Sequence, residues 1–556
     1  MKKTAYLALI FLAFIGCREE APPASEPESQ PETVTPRINS ARVYTGEAVQ
    51  KADFTGTETQ KQIRIENLDG HSVFIVKVNT SDIGASYKST GFAYPVTETL
   101  NLQKAAPLRR RAAVPRTAAE GGKIPLYDHP SAREFNRNPP PIPPASSERF
   151  VSVTAPQLAV KGEAKQFWVQ NKNSVWQKIP ATLYGVSSHS NVWIANEAFS
   201  AASNTSGDNK LTPTQAQSLA DKFETIYGYE TALFGYEYGG GGSSPAGGVD
   251  GDTRIQILVY DIDYDADAEQ DSFVLGYFWS KDFFDQTYLD RYNLKTNKAE
   301  IFYLDSWAMD AVPELIYSTL VHEFQHMINF NQKYIKNGKS SSTWYDEMLS
   351  MLAEDMISPL IGISSANAHH PINTRIPYFL GGYNAFGVTQ WSEEYPLFSY
   401  GTAYAFGAYL ARNYGGPKLI KEIARNSNVD ASSITAALSS RGADFTQALK
   451  KYGEALVYSG THKTESTASF DNTVSDNIYA FNAFDIWNIK NIYAGAENIP
   501  KNYQGALIWS LDWLFDMPGN SLILQSLDSW QGVTGSLDIL VSKPENPAVD
   551  IYIMIR

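Results

Sequence analysis

The chain has 556 residues, 43% of them hydrophobic and 19% charged, which is enough to bury large cores in several domains. With 60 acidic against 46 basic residues its formal net charge is −14, and that argues against a nucleic-acid partner, because phosphate binding needs a basic surface. Its single cysteine, Cys17, excludes an intrachain disulfide and a cysteine-rich metal site.

Met1-Lys2-Lys3 followed by the apolar run from Ala5 to Ile15 has the layout of a secretory signal, too short to persist as a spanning helix. Phe14-Ile15-Gly16-Cys17 resembles a bacterial lipobox, with Phe14 where Leu is usual. The resemblance implies a signal peptide over 1–16, cleavage before Cys17 and lipidation of Cys17. It also implies an anchor in the bacterial cell envelope, at the outer membrane or cell surface. An ordinary signal peptide with an incidental cysteine is the plainer alternative. Residues 17–40 are rich in Pro, Glu, Ser and Thr and read as a flexible tether.

From 41 to 102 short apolar segments predict a small N-terminal β-domain, with Gln62 to Ile65 and Val73 to Val78 as a hairpin around Asn67-Leu68-Asp69-Gly70. Residues 103–149, with Pro139-Pro140-Pro141-Ile142-Pro143-Pro144, read as a solvated linker. Arg109-Arg110-Arg111 inside it is a place where processing would release the remainder from its tether.

A longer unit over 150–465 begins with strands near Phe150, Gln166 to Val169, Ala181 to Val186 and Val192 to Ile194. A helix through Leu219, Phe223 and Ile226 follows. The buried strand Ile255 to Tyr260 runs into Asp261, Asp263, Asp265 and Asp267. Such a run is either a solvated acidic loop or a Ca²⁺ site; Ala266 and Ser272 at its sixth and twelfth positions exclude an EF-hand. A further strand, Glu300 to Leu304, comes just before the central motif, where an edge strand pairs with an extended peptide by main-chain hydrogen bonds.

That motif is His322-Glu323-Phe324-Gln325-His326, an HExxH sequence. Pro313 and Glu314 signal a helix start and Gly338 a stop, with Ile316, Leu320, Phe324 and Met327 as its apolar stripe. At i and i+4 the two imidazoles share one face, where they can bind one Zn²⁺, and Glu323 beside them is suited to act as general base. Catalytic zinc takes a third protein ligand. Asn329 and Gln332 stand where the metzincin pattern needs Gly and His, which excludes that class and leaves an acid on a second helix as the alternative. Thr343 to Asp355 is that helix, capped by Ser342 or Thr343, and Glu347 and Glu354, seven apart, share a face of it.

Trp344-x-x-Glu347 followed by Ala353-Glu354 looks like the Glu-zincin motif. The block from His322 to Phe330 together with Trp344 to Asp355 resembles the hyicolysin family of secreted bacterial metalloproteases, as do Asp250-Gly251-Asp252 to Asp261 and Gly276-Tyr277-Phe278-Trp279. The likeness extends from about Phe167 to Gly416. It implies zinc on His322, His326 and Glu347 with Glu323 as base; Glu354, and more remotely His369 or His370, are the alternatives to Glu347. Met351 stands where thermolysin-type Glu-zincins carry an Asp, so the second shell differs, and Glu354 is the candidate for it. Ser399-Tyr400-Gly401 opens a helix similar to the tyrosine helix of the zinc aminopeptidases, which implies oxyanion stabilisation by Tyr400; an aromatic core stripe is the alternative. No GAMEN-like exopeptidase motif lies upstream, which favours an endopeptidase.

Between them, 361–398 reads as a loop overhanging the cleft, with His369 and His370 exposed, and residues 466–556 read as a C-terminal β-domain. The expected fold is α+β: a zincin-like catalytic domain with an HExxH helix, flanked by N- and C-terminal β-sandwich-like domains. The expected function is zinc-dependent hydrolysis of extracellular or host proteins. The alternative is a surface adhesin or binding lipoprotein with an inactive protease-like core.

Overall fold

The computed structural model describes residues 49–86 (without 56, 66, 67 and 69), 124–126, 130–140, 158–201 (without 172), 210–242, 247–262, 272–496, 499–511, 516–526 and 537–556. Cys17 and the lipobox, the tether, the arginine run 109–111, segment 150–153 and the acids Asp263, Asp265 and Asp267 lie outside these residues.

The first strands are β1 (Val49–Ala52), β2 (Gln60–Ile65) and β3 (Val73–Asn79). The expected hairpin between β2 and β3 does not form. Instead β3 is sandwiched between strands from the other end of the chain, β10 (Ser521–Ser526) and β12 (Val549–Ile555), both antiparallel to it. β2 pairs with β11 (Leu537–Ser542). The strands assigned to separate N- and C-terminal β-domains therefore share their hydrogen bonds.

The physical reason lies in β3, whose seven residues are all buried. Val73 and Ile75 face Ile63, Ile65, Ile539 and Ile553 in one small core, while Phe74, Val76 and Val78 face the helical part of the molecule. A strand apolar on both faces needs two covers, which a two-stranded hairpin cannot supply. Gly453, on the helix Phe445–Val457, allows the close approach on the second side: a Cβ there would lie 2.4 Å from Val76 Cγ1.

The central sheet follows the same rule. β6 (Ser190–Ala195), β7 (Ile255–Tyr260) and β9 (Ile301–Asp305) are buried throughout and run parallel as neighbours. Antiparallel strands extend the sheet on both sides: β4 (Ala164–Gln170) and β5 (Trp176–Val186) on one, β8 (Gly276–Phe278) on the other. The strand expected at the edge, Glu300 to Leu304, is thus interior, and β8 forms the edge beside the HExxH helix.

One segment of the expected linker is structured. Ile124–Leu126 pairs in parallel with Ser272–Val274, and residues Pro130–Arg137 form helix α1. Helix α2 (Pro213–Phe234) begins with a reciprocal Thr212–Gln215 capping box and Pro213 in its first turn. The HExxH helix is α3 (Pro313–Asn329); its helical path continues through Phe330–Ile335 in a wider turn and stops at Gly338, whose φ is +64°. Helix α4 spans Thr343–Ile357; the Ser342 hydroxyl donates to Asp430 rather than capping it. Helix α5 spans Pro396–Tyr414, and Gly407 brings it against Met348 and Leu352 of α4. Three further helices follow, Gly416–Arg425, Asp430–Leu438 and Phe445–Val457. Among the described residues no helix is long and apolar enough to cross a membrane.

Candidate metal centre

Helix α3 is buried on almost every side, its polar Ser318, Thr319 and Asn329 included. His322 is fully buried and His326 5% exposed. Their rings lie 4.7 Å apart between centroids, as i and i+4 spacing dictates.

Helix α4 crosses this face and brings Glu347 to it. Glu347 Oε2 lies 3.1 Å from His322 Nε2 and 3.8 Å from His326 Nε2. One donor atom from each of the three residues falls within 4.8 Å of the others, the one such group of His, Cys, Asp and Glu among the described residues. Tetrahedral zinc with bonds of about 2.0–2.1 Å sets its donors roughly 3.3 Å apart, so this spacing fits the ion. His326 Nε2 is buried with no hydrogen-bond partner, as a ligand atom awaiting a cation should be.

The outward nitrogens are held. His322 Nδ1 lies 2.8 Å from Glu354 Oε1, whose other oxygen accepts from the Ser318 hydroxyl at 2.7 Å. With its Nδ1 proton on Glu354, His322 presents a bare Nε2 to the metal. His326 Nδ1 faces Ser350 Oγ at 3.1 Å and Asp346 Oδ2 at 3.2 Å. The Ser350 hydroxyl donates onward to Gln325 and so accepts from the ring. Glu354 is therefore placed behind a histidine rather than beside the metal atoms. Asp346 and Ser350 do the same for His326 and were not singled out from the sequence. A signal for Asp346 existed, since it adjoins Glu347 at the start of the same helix. Glu354→Ala is expected to weaken zinc binding by about 10- to 100-fold, measured by competition with a chromogenic chelator.

Without metal, burial opposes charge on both imidazoles, but the carboxylates outweigh it. Glu347 and Glu354 lift His322 to about 9, and Asp346 and Glu347 lift His326 to about 9. Burial pushes the Glu347 carboxyl up, and His326 and His322 more than offset this, leaving it below the usual range. Zinc requires the neutral imidazoles, so binding below pH 9 must expel protons. Apparent zinc affinity should therefore climb as pH rises toward 9 and flatten above it. The linkage has the opposite sign for the metal-free fold. A histidine raised from 6.5 to about 9 contributes its full stability below pH 6.5 and loses it as pH rises through 9. Thermal melts of stripped protein should fall over that interval.

Glu323 is fully buried on the turn between the two histidines. Tyr400 is fully buried too, and its hydroxyl lies 3.4 Å from Glu347 Oε1. The Arg375 guanidinium stacks on its ring at 4.7 Å. His369 and His370 do not reach the centre. His370, expected to be exposed, is 1% exposed; its Nδ1 accepts from Ile372 N–H at the start of a short helix, and its Nε2 lies 3.7 Å from Asp355. The 361–398 stretch folds into short helices here, which buries His370 and leaves His369 half-buried.

A mixed sheet with a short antiparallel edge strand, an HExxH helix behind it and a glutamate delivered by the next helix together define a zincin-type metallopeptidase domain. Comparison with known families agrees: the Peptidase M30 family matches residues 181–498, and the chain belongs to that family. It is also 30% identical over 248 residues to the neutral metalloprotease ShpI of Staphylococcus hyicus, a match covering 42% of this chain and 48% of that protein. The chain thus spans about half the length of the curated relative it matches.

Proposed function

We propose that this protein is a zinc-dependent endopeptidase acting on extracellular or host proteins. The observation that carries the reading is the convergence of His322 Nε2, His326 Nε2 and Glu347 Oε2, with Glu323 on the intervening turn. Zinc bound there supplies a Lewis acid that polarises the scissile carbonyl and lowers the pKa of water. Glu323 takes the proton of the attacking water and hands it to the leaving amine. Glu354, Asp346 and Ser350 keep the histidine rings turned so that Nε2 faces the ligand set. Strand β8 offers its main chain to an extended substrate.

Tyr400 is the hydroxyl donor at hand for the developing oxyanion. Tyr400→Phe is expected to lower kcat by about tenfold or more with zinc content unchanged; an equal loss of zinc would instead assign Tyr400 to holding Glu347.

The amino-terminal sequence supports secretion and a lipid anchor at Cys17. The test of function is casein hydrolysis by protein from residue 41 onward, as purified, stripped with a chelator and resupplied with zinc. Loss on stripping and recovery with one zinc per chain supports the reading. Stoichiometric zinc without cleavage of casein or of a random peptide library, both in this protein and after helix α1 is loosened by Asn136→Ala, would favour a binding lipoprotein with an inactive core.

A further inference from the structure

The small gap next to the metal centre is lined on both sides by the chain itself. His326, Asp346 and Glu347 form one wall, and Arg133, Asn136 and Arg137 of helix α1 form the other. Arg133 is 5% exposed; its guanidinium stacks on the Trp391 ring at 5.4 Å and donates to Glu393 Oε2 at 2.7 Å. It is close enough to Glu347 for its charge to help hold that carboxyl down.

The same segment covers the edge strand. Asn136 Nδ2 donates to the Phe278 carbonyl at 2.8 Å, and its Oδ1 accepts from Ser280 N–H at 2.8 Å and from the Ser280 hydroxyl at 2.7 Å. Upstream, Ile124–Leu126 pairs with Ser272–Val274, the stretch that leads into β8. Downstream, Pro139 and Pro140 are buried, and the Tyr334 hydroxyl donates to the Pro140 carbonyl. Polar groups that a substrate main chain would engage are thus already engaged from within.

We propose that α1 occupies the substrate cleft of this enzyme, with Arg133 seated in a subsite, walled by Trp391 and Glu393, that takes a basic side chain of the substrate. The chemistry of the pocket selects that class: an aromatic face and a carboxylate together recognise a guanidinium or ammonium, and neither rewards an aliphatic side chain. Glu393 is 57% exposed, so the carboxylate end of this contact lies at the surface, within reach of a chain approaching from solvent. The inference rests on the endopeptidase reading, but it can be tested without turnover.

The test uses the zinc-loaded full chain carrying Glu323→Gln. Binding is read by fluorescence anisotropy with a labelled eight-residue peptide containing one Arg, and with its twin carrying Leu instead. The parent protein should bind both weakly. Adding Arg133→Ala should tighten the Arg peptide by about tenfold or more and leave the twin about tenfold weaker. Adding Glu393→Gln as well should erase the difference. Arg133→Lys, which keeps a cation in the pocket, should keep the peptide out. Asn136→Ala loosens α1 without touching the Trp391–Glu393 contact and should also admit the peptide, so the test survives a misfolded Arg133→Ala. Equal binding with and without the intact helix overturns the proposal, and so does equal binding of the two peptides by the opened protein. Failure of the endopeptidase reading would show separately, as an Arg133→Ala protein with Glu323 intact that holds zinc yet cleaves nothing.

Discussion

Glu323→Gln should keep its zinc and lose about 10²–10⁴ of its casein-cleaving rate. Glutamine preserves the size and packing of a fully buried side chain on α3, so the helix and its two histidines stay in place. Glu323 is not one of the three residues whose donor atoms converge, so metal content should not change. What is lost is proton transfer: an amide can neither accept a proton from the attacking water nor return one to the leaving nitrogen. The measurement pairs a rate assay with zinc quantified per chain. A variant that still cleaves at a tenth of the wild-type rate would show that the base lies elsewhere; Asp346, on the opposite side of His326, would then be the next residue to replace.

Glu347→Ala should strip the site. Of the two glutamates on α4, only Glu347 reaches the Nε2 atoms, at 3.1 and 3.8 Å. Its removal takes away the one anionic ligand and leaves two imidazoles, so zinc affinity should fall well beyond the 10- to 100-fold expected for a supporting residue such as Glu354. Hydrolysis should disappear at micromolar zinc, and the zinc-dependent rise in melting temperature should vanish with it. The comparison of the two variants decides between the two acids. If Glu354→Ala emptied the site while Glu347→Ala stayed loaded, the ligand assignment would be reversed and the orientation of both histidines would need revision.

The choice between Glu347 and Glu354 shows where reading along the chain stops. Seven residues apart, they lie on one face of α4 but roughly 10 Å apart along its axis. Sequence spacing says that both face α3; which of them meets Nε2 and which meets Nδ1 depends on how far α4 slides along α3. That is set by packing, for instance by Gly407 letting α5 press on Met348 and Leu352. The result puts Glu347 on the metal side and Glu354 behind His322, where Ser318 also holds it.

By itself the sequence determined what backbone geometry makes local. His322 and His326 had to share a helix face because i and i+4 positions do so in any α-helix, and Glu323 had to sit on the turn between them. Ile255–Tyr260 had to be covered on both sides because apolar residues fall on both faces of its run. Tertiary structure alone decided contacts between distant segments. The pairing of β3 with strands more than 440 residues later depends on which surfaces need cover in the folded molecule, not on the turn that follows β2. The placement of Arg133 against Trp391 and Glu393, some 260 residues away, has the same origin. Nothing in a proline-rich stretch announces that its residues will line a gap beside the metal centre, because the groups that hold it there are assembled only when α3, α4 and the edge strand have packed.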